Sequence, residues 1–130
     1  MIRRLNHELV LSLLPDRNPW GHKGNFGKLL LLCGSRGYTG AAFFAAMGAL
    51  RSGAGLVFLG VPEDIWPIVA VKCDRAMPSP LPSQQGKLAL AAEDAVRARI
   101  DGCDAVLIGC GMGRSEESDA LTRRLIDMDK

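Results

Sequence analysis

Residues 28–61 read KLLLLCGSRGYTGAAFFAAMGALRSGAGLVFLGV, and this stretch decides the fold. Lys28–Cys33 is apolar at both alternating positions, which is typical of a strand buried on both faces of a parallel sheet. Thr39–Ser52 is long enough for a helix, with Thr39 as its expected cap, and has almost no polar face, so we expect it to pack tightly on that sheet. Leu56–Val61 is a second apolar run. The stretch therefore predicts a strand, a glycine-rich turn, a helix and a second strand, which is a βαβ unit.

On the amino-terminal side, the pattern predicts one short helix and one loop. Asn6–Leu14 places Leu9, Val10 and Leu13 on one face, with Asn6 as a helix cap and Pro15 as the stop. Asp16–Gly27 is polar and rich in Gly and Pro, which indicates a loop.

On the carboxyl-terminal side, strands and helices continue to alternate. Pro62–Lys72 is expected to hold a short helix starting at Pro62, and Met77–Ser83, with three prolines, an irregular extended stretch. Lys87–Ile100 reads as a helix, and Ala105–Ile108 as a third buried strand. Ser115 is placed to cap a last helix. This alternation predicts a three-layer α/β fold with a mostly parallel sheet and flanking helices, in one domain over residues 1–130.

Composition limits the classes of partner. The 130 residues are 48% hydrophobic and 23% charged with a net charge of +2, which gives no reason to expect nucleic acid or a membrane surface as partner. No run reaches the ~18–20 apolar residues of a membrane span. The four cysteines, at positions 33, 73, 103 and 110, lack zinc-site spacing, so we expect buried free thiols and a cytoplasmic protein.

Two glycine-rich turns follow predicted strands, where open α/β sheets bind ligands. Gly34–Ala41 is neither a Walker loop nor a dinucleotide fingerprint, since its glycines fall at 34, 37 and 40. A tight turn that requires positive φ explains this segment as well as a ligand that approaches the backbone. Gly109–Gly113 alternates three glycines with two other residues, which favours a main chain left bare for a ligand.

The polar residues offer weaker candidates. Lys23, in the loop before the first strand, has the charge to reach a phosphate, and His22 stands beside it, but a solvated Lys and a capping His explain both. Arg123 and Arg124 fit a solvated helix face. No nucleophile–base pair, catalytic carboxylate pair or metal-ligand cluster is visible, so no catalytic or metal residue is assigned.

Longer strings add a family resemblance. Residues 22–63, HKGNFGKLLLLCGSRGYTGAAFFAAMGALRSGAGLVFLGVPE, resemble the opening of the ATP- or ADP-dependent NAD(P)H-hydrate dehydratases, with the patterns H-K-G-x-x-G and G-S-x-x-Y-x-G-A. Residues 104–113, DAVLIGCGMG, resemble the family's later D-A-V-x-I-G-P-G-L-G. Cys110 and Met112 replace the family's usual Pro and Leu, and Cys33 stands where Gly is frequent.

The resemblance implies a ribokinase-like fold truncated to about half of the family fold. It implies cofactor repair in the full-length parent, a hydro-lyase that uses ATP or ADP, with Mg²⁺, to return hydrated NADH or NADPH (NADHX, NADPHX) to NAD(P)H. The family's G-T-G-D turn, whose Asp is taken as catalytic, has no counterpart after Gly113, so this chain alone is expected to be inactive. The residues implied for the substrate site are Ala41, Gly111, Gly113, Gly40 and Tyr38, with Lys23 as a weak nucleotide-site candidate.

Two further expectations accompany this resemblance. An incomplete sheet exposes an edge, so we expect a homo-oligomer, and Gly111→Val should weaken dinucleotide binding while the fold survives. Two other functions stay open: a non-catalytic binding or assembly module, and a kinase of small molecules such as sugars or vitamin precursors, as other ribokinase-like proteins are.

Overall fold

The computed structural model describes residues 4–128, and residues 1–3 and 129–130 of the expected 1–130 domain lie outside the described residues. The strands are β1 (Lys28–Leu32), β2 (Leu56–Pro62), β3 (Met77–Leu81) and β6 (Ala105–Ile108), with a separate hairpin of β4 (Ser83–Gln84) and β5 (Lys87–Leu88). The centre of the fold is a sheet of four parallel strands in the order β3-β2-β1-β6. Strand β1 pairs with β2 from Lys28↔Leu56 onward and with β6 from Leu29↔Ala105 onward.

The described residues form five α-helices: α1 (His7–Leu13), α2 (Thr39–Arg51), α3 (Trp66–Lys72), α4 (Glu93–Ile100) and α5 (Glu116–Ile126). Two predicted caps are confirmed, because the Asn6 side chain accepts from the Leu9 N–H and the Ser115 side chain from the Ser118 N–H. None of these helices is long and apolar enough to cross a bilayer.

Two hydrophobic cores, one on each face of the sheet, explain why β1 is apolar at every buried position. Leu31, which is fully buried, packs on one face with residues of α2 and α3. Leu30 and Leu32 point to the other face and pack with residues of α4 and α5. Because successive side chains of a strand alternate between faces, a strand covered on both sides needs apolar residues at both parities. The predicted three-layer α/β architecture is confirmed.

Met77–Ser83 is extended as predicted, but the prediction that it is irregular is wrong, since Met77–Leu81 is strand β3 at one edge of the sheet. Pro78 and Pro80 are aligned with Leu59 and Val61 of β2. Prolines two residues apart turn their nitrogens to the same side of a strand, and on an edge strand that side is the open one. The missing N–H groups therefore remove no hydrogen bond from the ladder.

Two predicted helices begin later than expected. The helix expected at Lys87 begins at Glu93, because Lys87–Leu88 is β5 of the hairpin and Gln85 and Gly86 turn with φ of 52° and 76°. Positive φ at both central residues matches the twist of a two-residue hairpin. The helix expected to start at Pro62 begins at Trp66, because Pro62 still belongs to β2.

Glu93 joins helix α4 to helix α5. Its carboxylate accepts hydrogen bonds from Arg97 Nε at 2.9 Å and, across the helices, from Arg124 Nη1 at 2.7 Å. The Glu93 side chain is only 16% exposed in this pair. Arg124 is exposed, as expected for a solvated helix face, but it also forms an ion pair with Glu93 that the sequence analysis did not predict. The hydrogen bonds from Arg97 and then Arg124 lower the pKa of Glu93.

We expect the stabilising effect of Glu93 to disappear in acid. A carboxylate whose pKa is lower in the folded than in the unfolded chain stabilises the fold above the unfolded pKa of about 4.3, and that contribution is lost as the pH falls through the folded pKa. Glu93→Gln should lower the thermal unfolding midpoint at pH 7 and have little effect near pH 2. Asp94→Asn, in the same first helical turn but exposed, is the matched control. An equal effect of Glu93→Gln at both pH values would contradict the ion pairs.

Candidate functional site

The carboxyl ends of β1 and β6 lie where the strand order reverses. From β1 the chain builds β2 and β3 on one side, and it later returns to place β6 on the other side of β1. Helices α2 and α3 pack on one face, while α4 and α5 pack on the other. The loops that follow β1 and β6 therefore diverge toward opposite faces. Such a topological switch point is where open α/β sheets bind ligands.

Two hydrogen bonds join the turns at this point, which we name the β1–α2 turn (residues 33–38) and the β6–α5 turn (residues 109–115). The Gly34 N–H donates to the Cys110 carbonyl at 2.8 Å, and the Ser35 hydroxyl donates to the Gly111 carbonyl at 2.7 Å. Ser35 is buried, with 1% exposed. Sequence reasoning missed its role, although a serine inside an apolar, glycine-rich strand end was the available signal.

Gly111 is bare because the neighbouring turn packs on it. A Cβ atom at this position would lie 2.5 Å from Ala41 Cβ and 3.1 Å from Tyr38 Cβ, and φ is +70°. Real Cβ atoms do not approach each other to 2.5 Å, so only glycine fits here without a shift of the turn. The absent side chain of Gly111 thus makes room for α2 and Tyr38. This part of the bare-backbone interpretation is corrected, because protein and not a ligand occupies that space.

Other glycines do leave main chain open. A Cβ built on Gly40 or on Gly109 would meet nothing within 4 Å. A hollow of about 470 Å³ lies between the turns, lined by Tyr38, Gly109, Gly111, Met112, Gly113 and Arg114. Of the predicted substrate residues, the structure thus brings Tyr38, Gly111 and Gly113 to one hollow, with Ala41 packed directly behind Gly111. Gly40 is in the first turn of α2, outside the lining itself.

The start of α2 offers backbone donors to this region. The helix begins at Thr39, so Thr39 is not the cap that the sequence suggested. Tyr38 occupies the cap position without a side-chain hydrogen bond to the helix. The first N–H groups of a helix have no partner within it and carry partial positive charge, which favours an anion. A phosphate or carboxylate near Gly40 would receive both effects.

Three cationic side chains that the sequence did not single out belong to or contact the two turns and the neighbouring hairpin. Lys87 lies against the β6–α5 turn, since a Cβ on Gly113 would sit 3.1 Å from Lys87 Cε. Arg114 lines the hollow and holds Asp119 at 2.8 Å, which lowers the pKa of that carboxyl. Arg36 lies 3.7 Å from Asp64 and is largely exposed. The contacts of Lys87 and Arg36 join segments far apart in the sequence, so no local pattern predicts them, whereas Arg114 and Asp119 are only five positions apart.

Lys23 lies near the amino-terminal end of strand β1, whereas the two turns lie at the carboxyl ends of the strands. It belongs to a single 3₁₀ turn, Lys23–Asn25, which precedes the amino end of β1. His22 Nδ1 accepts a hydrogen bond from the Gly24 N–H at 3.1 Å, which confirms a capping role for His22. The structure thus does not bring Lys23 near the two turns at the carboxyl ends. Its assignment to a nucleotide stays a prediction with no neighbouring site residue.

Within residues 4–128, no group of three or more His, Cys, Asp or Glu residues is arranged to hold a metal ion. Cys33, Cys73 and Cys103 are buried as expected. Cys110 is exposed, so the expectation of four buried thiols is wrong at this position.

The parallel sheet, the helices on both of its faces and the hollow at its switch point define a three-layer α/β protein with an open ligand-binding position. A ribokinase-like superfamily protein from Enterococcus faecalis superimposes with a TM-score of 0.76 over 97% of this chain and 41% of its own length, at 21% identity. The sequence model of the NAD(P)H-hydrate dehydratase family matches residues 29–130. The chain belongs to that family, which confirms the resemblance drawn from the sequence.

Two relatives show how much of a longer protein this chain matches. A bifunctional NAD(P)H-hydrate repair enzyme from Moorella thermoacetica is 39% identical over 116 residues, which is 88% of this chain and 22% of the relative. An ADP/ATP-dependent NAD(P)H-hydrate dehydratase from Bacillus subtilis, co-crystallised with ATP and Mg²⁺, is 30% identical with a TM-score of 0.69. The match covers 91% of this chain and 40% of that structure. The chain therefore spans less than half the length of either relative.

Proposed function

We propose that this chain is one partial ribokinase-like domain that supplies part of the substrate-binding wall of a nucleotide-dependent NAD(P)H-hydrate dehydratase. The parent activity would be cofactor repair: loss of water from the hydrated nicotinamide ring of NADHX or NADPHX, driven by hydrolysis of ATP or ADP. The observation that carries the proposal is the pair of hydrogen-bonded glycine-rich turns at the switch point. Membership in the dehydratase family supports this reading over a kinase.

The site residues have separate roles in this proposal. Gly40 leaves the start of α2 open to an anionic group, such as the pyrophosphate of a dinucleotide. Tyr38 and Gly113 line the hollow, where flat groups can lie on main chain. Gly111 and Ala41 act by packing, since their contact sets the distance between the two turns. Lys23 lies too far from the hollow to take part in it.

The lining of the hollow offers no fitting donor set for the Mg²⁺ of a nucleotide. Mg²⁺ in nucleotide sites takes one or two carboxylates together with phosphate oxygens and waters. The hollow between the turns is lined by glycines, Tyr38, Met112 and Arg114, none of which supplies a carboxylate. We derive no step through the metal here, and we propose no turnover by this chain alone.

The direct test adds NADHX and ATP with Mg²⁺ to the purified chain. Recovery of NADH absorbance measures turnover, and titration calorimetry with NADHX measures binding. We expect binding without turnover. Turnover by the chain would contradict the proposed division of labour. A folded chain that does not bind NADHX would favour the alternative, a non-catalytic assembly module.

A pair of glycine variants makes this test specific to the site. Gly40→Leu adds a side chain at the open start of α2, and Gly48→Leu makes the same change in open space farther along the same helix. Both should fold, because leucine is a better helix residue than glycine. Gly40→Leu should weaken NADHX binding about tenfold, roughly 1.4 kcal/mol, while Gly48→Leu leaves it unchanged. Equal affinities in the two variants would remove Gly40 from the site.

We also propose self-association through the β6 edge. Ala105 and Leu107 of this edge strand are exposed, and an apolar groove of about 340 Å³ beside it is lined by residues that include Val106, Ile108 and Leu125. An uncovered strand edge next to apolar surface favours pairing with another chain. Light scattering of the purified protein tests this proposal.

The composition of the chain fits a cytoplasmic location, which we likewise propose.

A further inference from the structure

Cys33 and Cys110 lie side by side at the carboxyl ends of β1 and β6. The Gly109 N–H donates to the Leu32 carbonyl at 3.1 Å, and the Gly34 N–H donates to the Cys110 carbonyl at 2.8 Å. Two residues of the second strand end, Gly109 and Cys110, therefore lie opposite the single residue Cys33. This local irregularity makes Cys110 a direct neighbour of Cys33 across the two strand ends.

The two thiols have different access to solvent. Cys33 has no exposed surface and packs in the core beneath α2 and α3, whereas Cys110 is exposed. Burial, followed by the proximity of Cys110, raises the pKa of Cys33 to about 12. A small oxidant in solution therefore meets the thiol of Cys110 first, and Cys33 lies directly behind it.

We propose that Cys33 and Cys110 form a reversible disulfide in the folded protein, with Cys110 as the entry thiol and Cys33 as the resolving thiol. Adjacent strands are about 4.8 Å apart, and disulfides join residues whose Cα atoms are roughly 4.4–6.8 Å apart. The strand spacing is therefore compatible with the bond. This inference is independent of the proposed enzymatic function.

The oxidant in this scheme is a low-molecular-weight disulfide. The Cys110 thiolate attacks one of its sulfur atoms, which breaks the small disulfide, leaves a mixed disulfide on Cys110 and releases one small thiol. Cys33 then attacks the Cys110 sulfur, and its proton passes to the small thiolate that leaves Cys110, which is released as the second small thiol. In sum, two protein thiols are oxidised to one disulfide and one small disulfide is reduced to two thiols.

The crosslink would lie at the floor of the candidate site. Cys110 is flanked by Gly109 and Gly111, which both line the hollow. A covalent bond from Cys110 to the end of β1 would fix the β6–α5 turn where the Gly34–Cys110 hydrogen bond now holds it. Oxidation would thus fix the distance between the two turns for as long as the disulfide remains unreduced.

The experiment uses the native, fully reduced chain and oxidised glutathione as the probe. Intact mass should fall by two hydrogen atoms, and a digest without reduction should join the peptides that contain Cys33 and Cys110. Added dithiothreitol should restore the original mass. Circular dichroism recorded during the reaction establishes that the chain remains folded.

Variants identify the order of the two steps. Cys33→Ala should stop the reaction at one glutathione attached to Cys110. Cys110→Ala should leave Cys33 unmodified, because no solvent reaches it. The double variant Cys73→Ala/Cys103→Ala is the matched control and should form the same crosslink as the parent chain.

Three results would overturn the proposal. One is a crosslink in the folded parent chain that joins any other pair of cysteines. The second is a stable glutathione adduct on Cys110 of the parent chain, since Cys33 would then fail to resolve it. The third is a folded parent chain that glutathione disulfide leaves unchanged. All three are read from the parent chain, so the test does not depend on whether a variant folds.

Discussion

Gly55→Ala should destabilise the protein by about 3 kcal/mol or more, the sum expected from overpacking and from the loss of hydrogen bonds. A Cβ atom on Gly55 would run into the Lys23 carbonyl group and would sit 3.2 Å from the Gly27 carbonyl oxygen. These are backbone atoms, which cannot rotate away as a flexible side chain can. The Gly55 N–H also donates to the carbonyls of Phe26 and Gly27, at 3.0 and 3.1 Å. The added methyl group would therefore push the loop before β1 off the turn before β2.

Urea unfolding of the parent chain and of Gly55→Ala measures this loss. Gly48→Ala is the matched control, because a Cβ at Gly48 meets open space on the exposed face of α2. The control should be stabilised by about 0.5–1 kcal/mol, the difference between Gly and Ala within a helix. A loss of less than about 1 kcal/mol in the free energy of unfolding of Gly55→Ala is within the range of an ordinary point mutation. Such a result would refute the close packing of the loop before β1 against the turn before β2.

Gly111→Val is expected to have the second largest effect, about 2–5 kcal/mol from backbone strain and overpacking together. Its φ of +70° lies in the left-handed region, where a β-branched residue is strained. Its Cβ would also collide with Ala41 Cβ at 2.5 Å. The expectation that this variant weakens binding while the fold survives intact is therefore corrected. Loss of binding in Gly111→Val would mainly report a displaced turn.

A double-mutant cycle separates the two causes. Gly111→Ala keeps the collision with Ala41, and Ala41→Gly removes the atom with which it collides. The double variant Gly111→Ala/Ala41→Gly should regain the steric part of the loss and keep the strain from positive φ. We expect a coupling of about 1–2 kcal/mol by urea unfolding, within the range for residues in contact. Simple additivity would show that the two turns do not touch as described.

Much of the fold follows from short-range patterns. Lys28–Leu32 is apolar at both parities, so it requires cover on both faces, and the cores beneath α2 and α5 supply that cover. The caps at Asn6 and Ser115 were predicted because a side-chain oxygen reaches a backbone N–H only three residues away. Hydrophobic periodicity and helix capping depend on residues only a few positions apart, so both can be predicted from the sequence alone.

The elements that sequence analysis assigned incorrectly are those whose structure depends on where the segment lies in the fold. Pro78 and Pro80 argue against a strand in isolation, yet they are tolerated in β3 because it is an edge strand with one open side. Leu88 fits a helical stripe with Val96 and Ile100, and it is buried beside them although it belongs to the hairpin. The helical spacing therefore indicates correctly that Leu88 is buried, but it indicates the wrong type of element for Leu88.

The sequence by itself determined the fold class, the family and the two turns, because runs of apolar residues and clustered glycines act on their immediate neighbours. Only the tertiary structure decided which glycine is packed and which is open. It also decided that Ser35 donates to Gly111, 76 positions away, that Lys87 lies against Gly113, and that Gly34 donates to the Cys110 carbonyl. Parallel strands adjacent in the sheet are separated in the chain by whole crossovers, so contacts at their ends have no local signature.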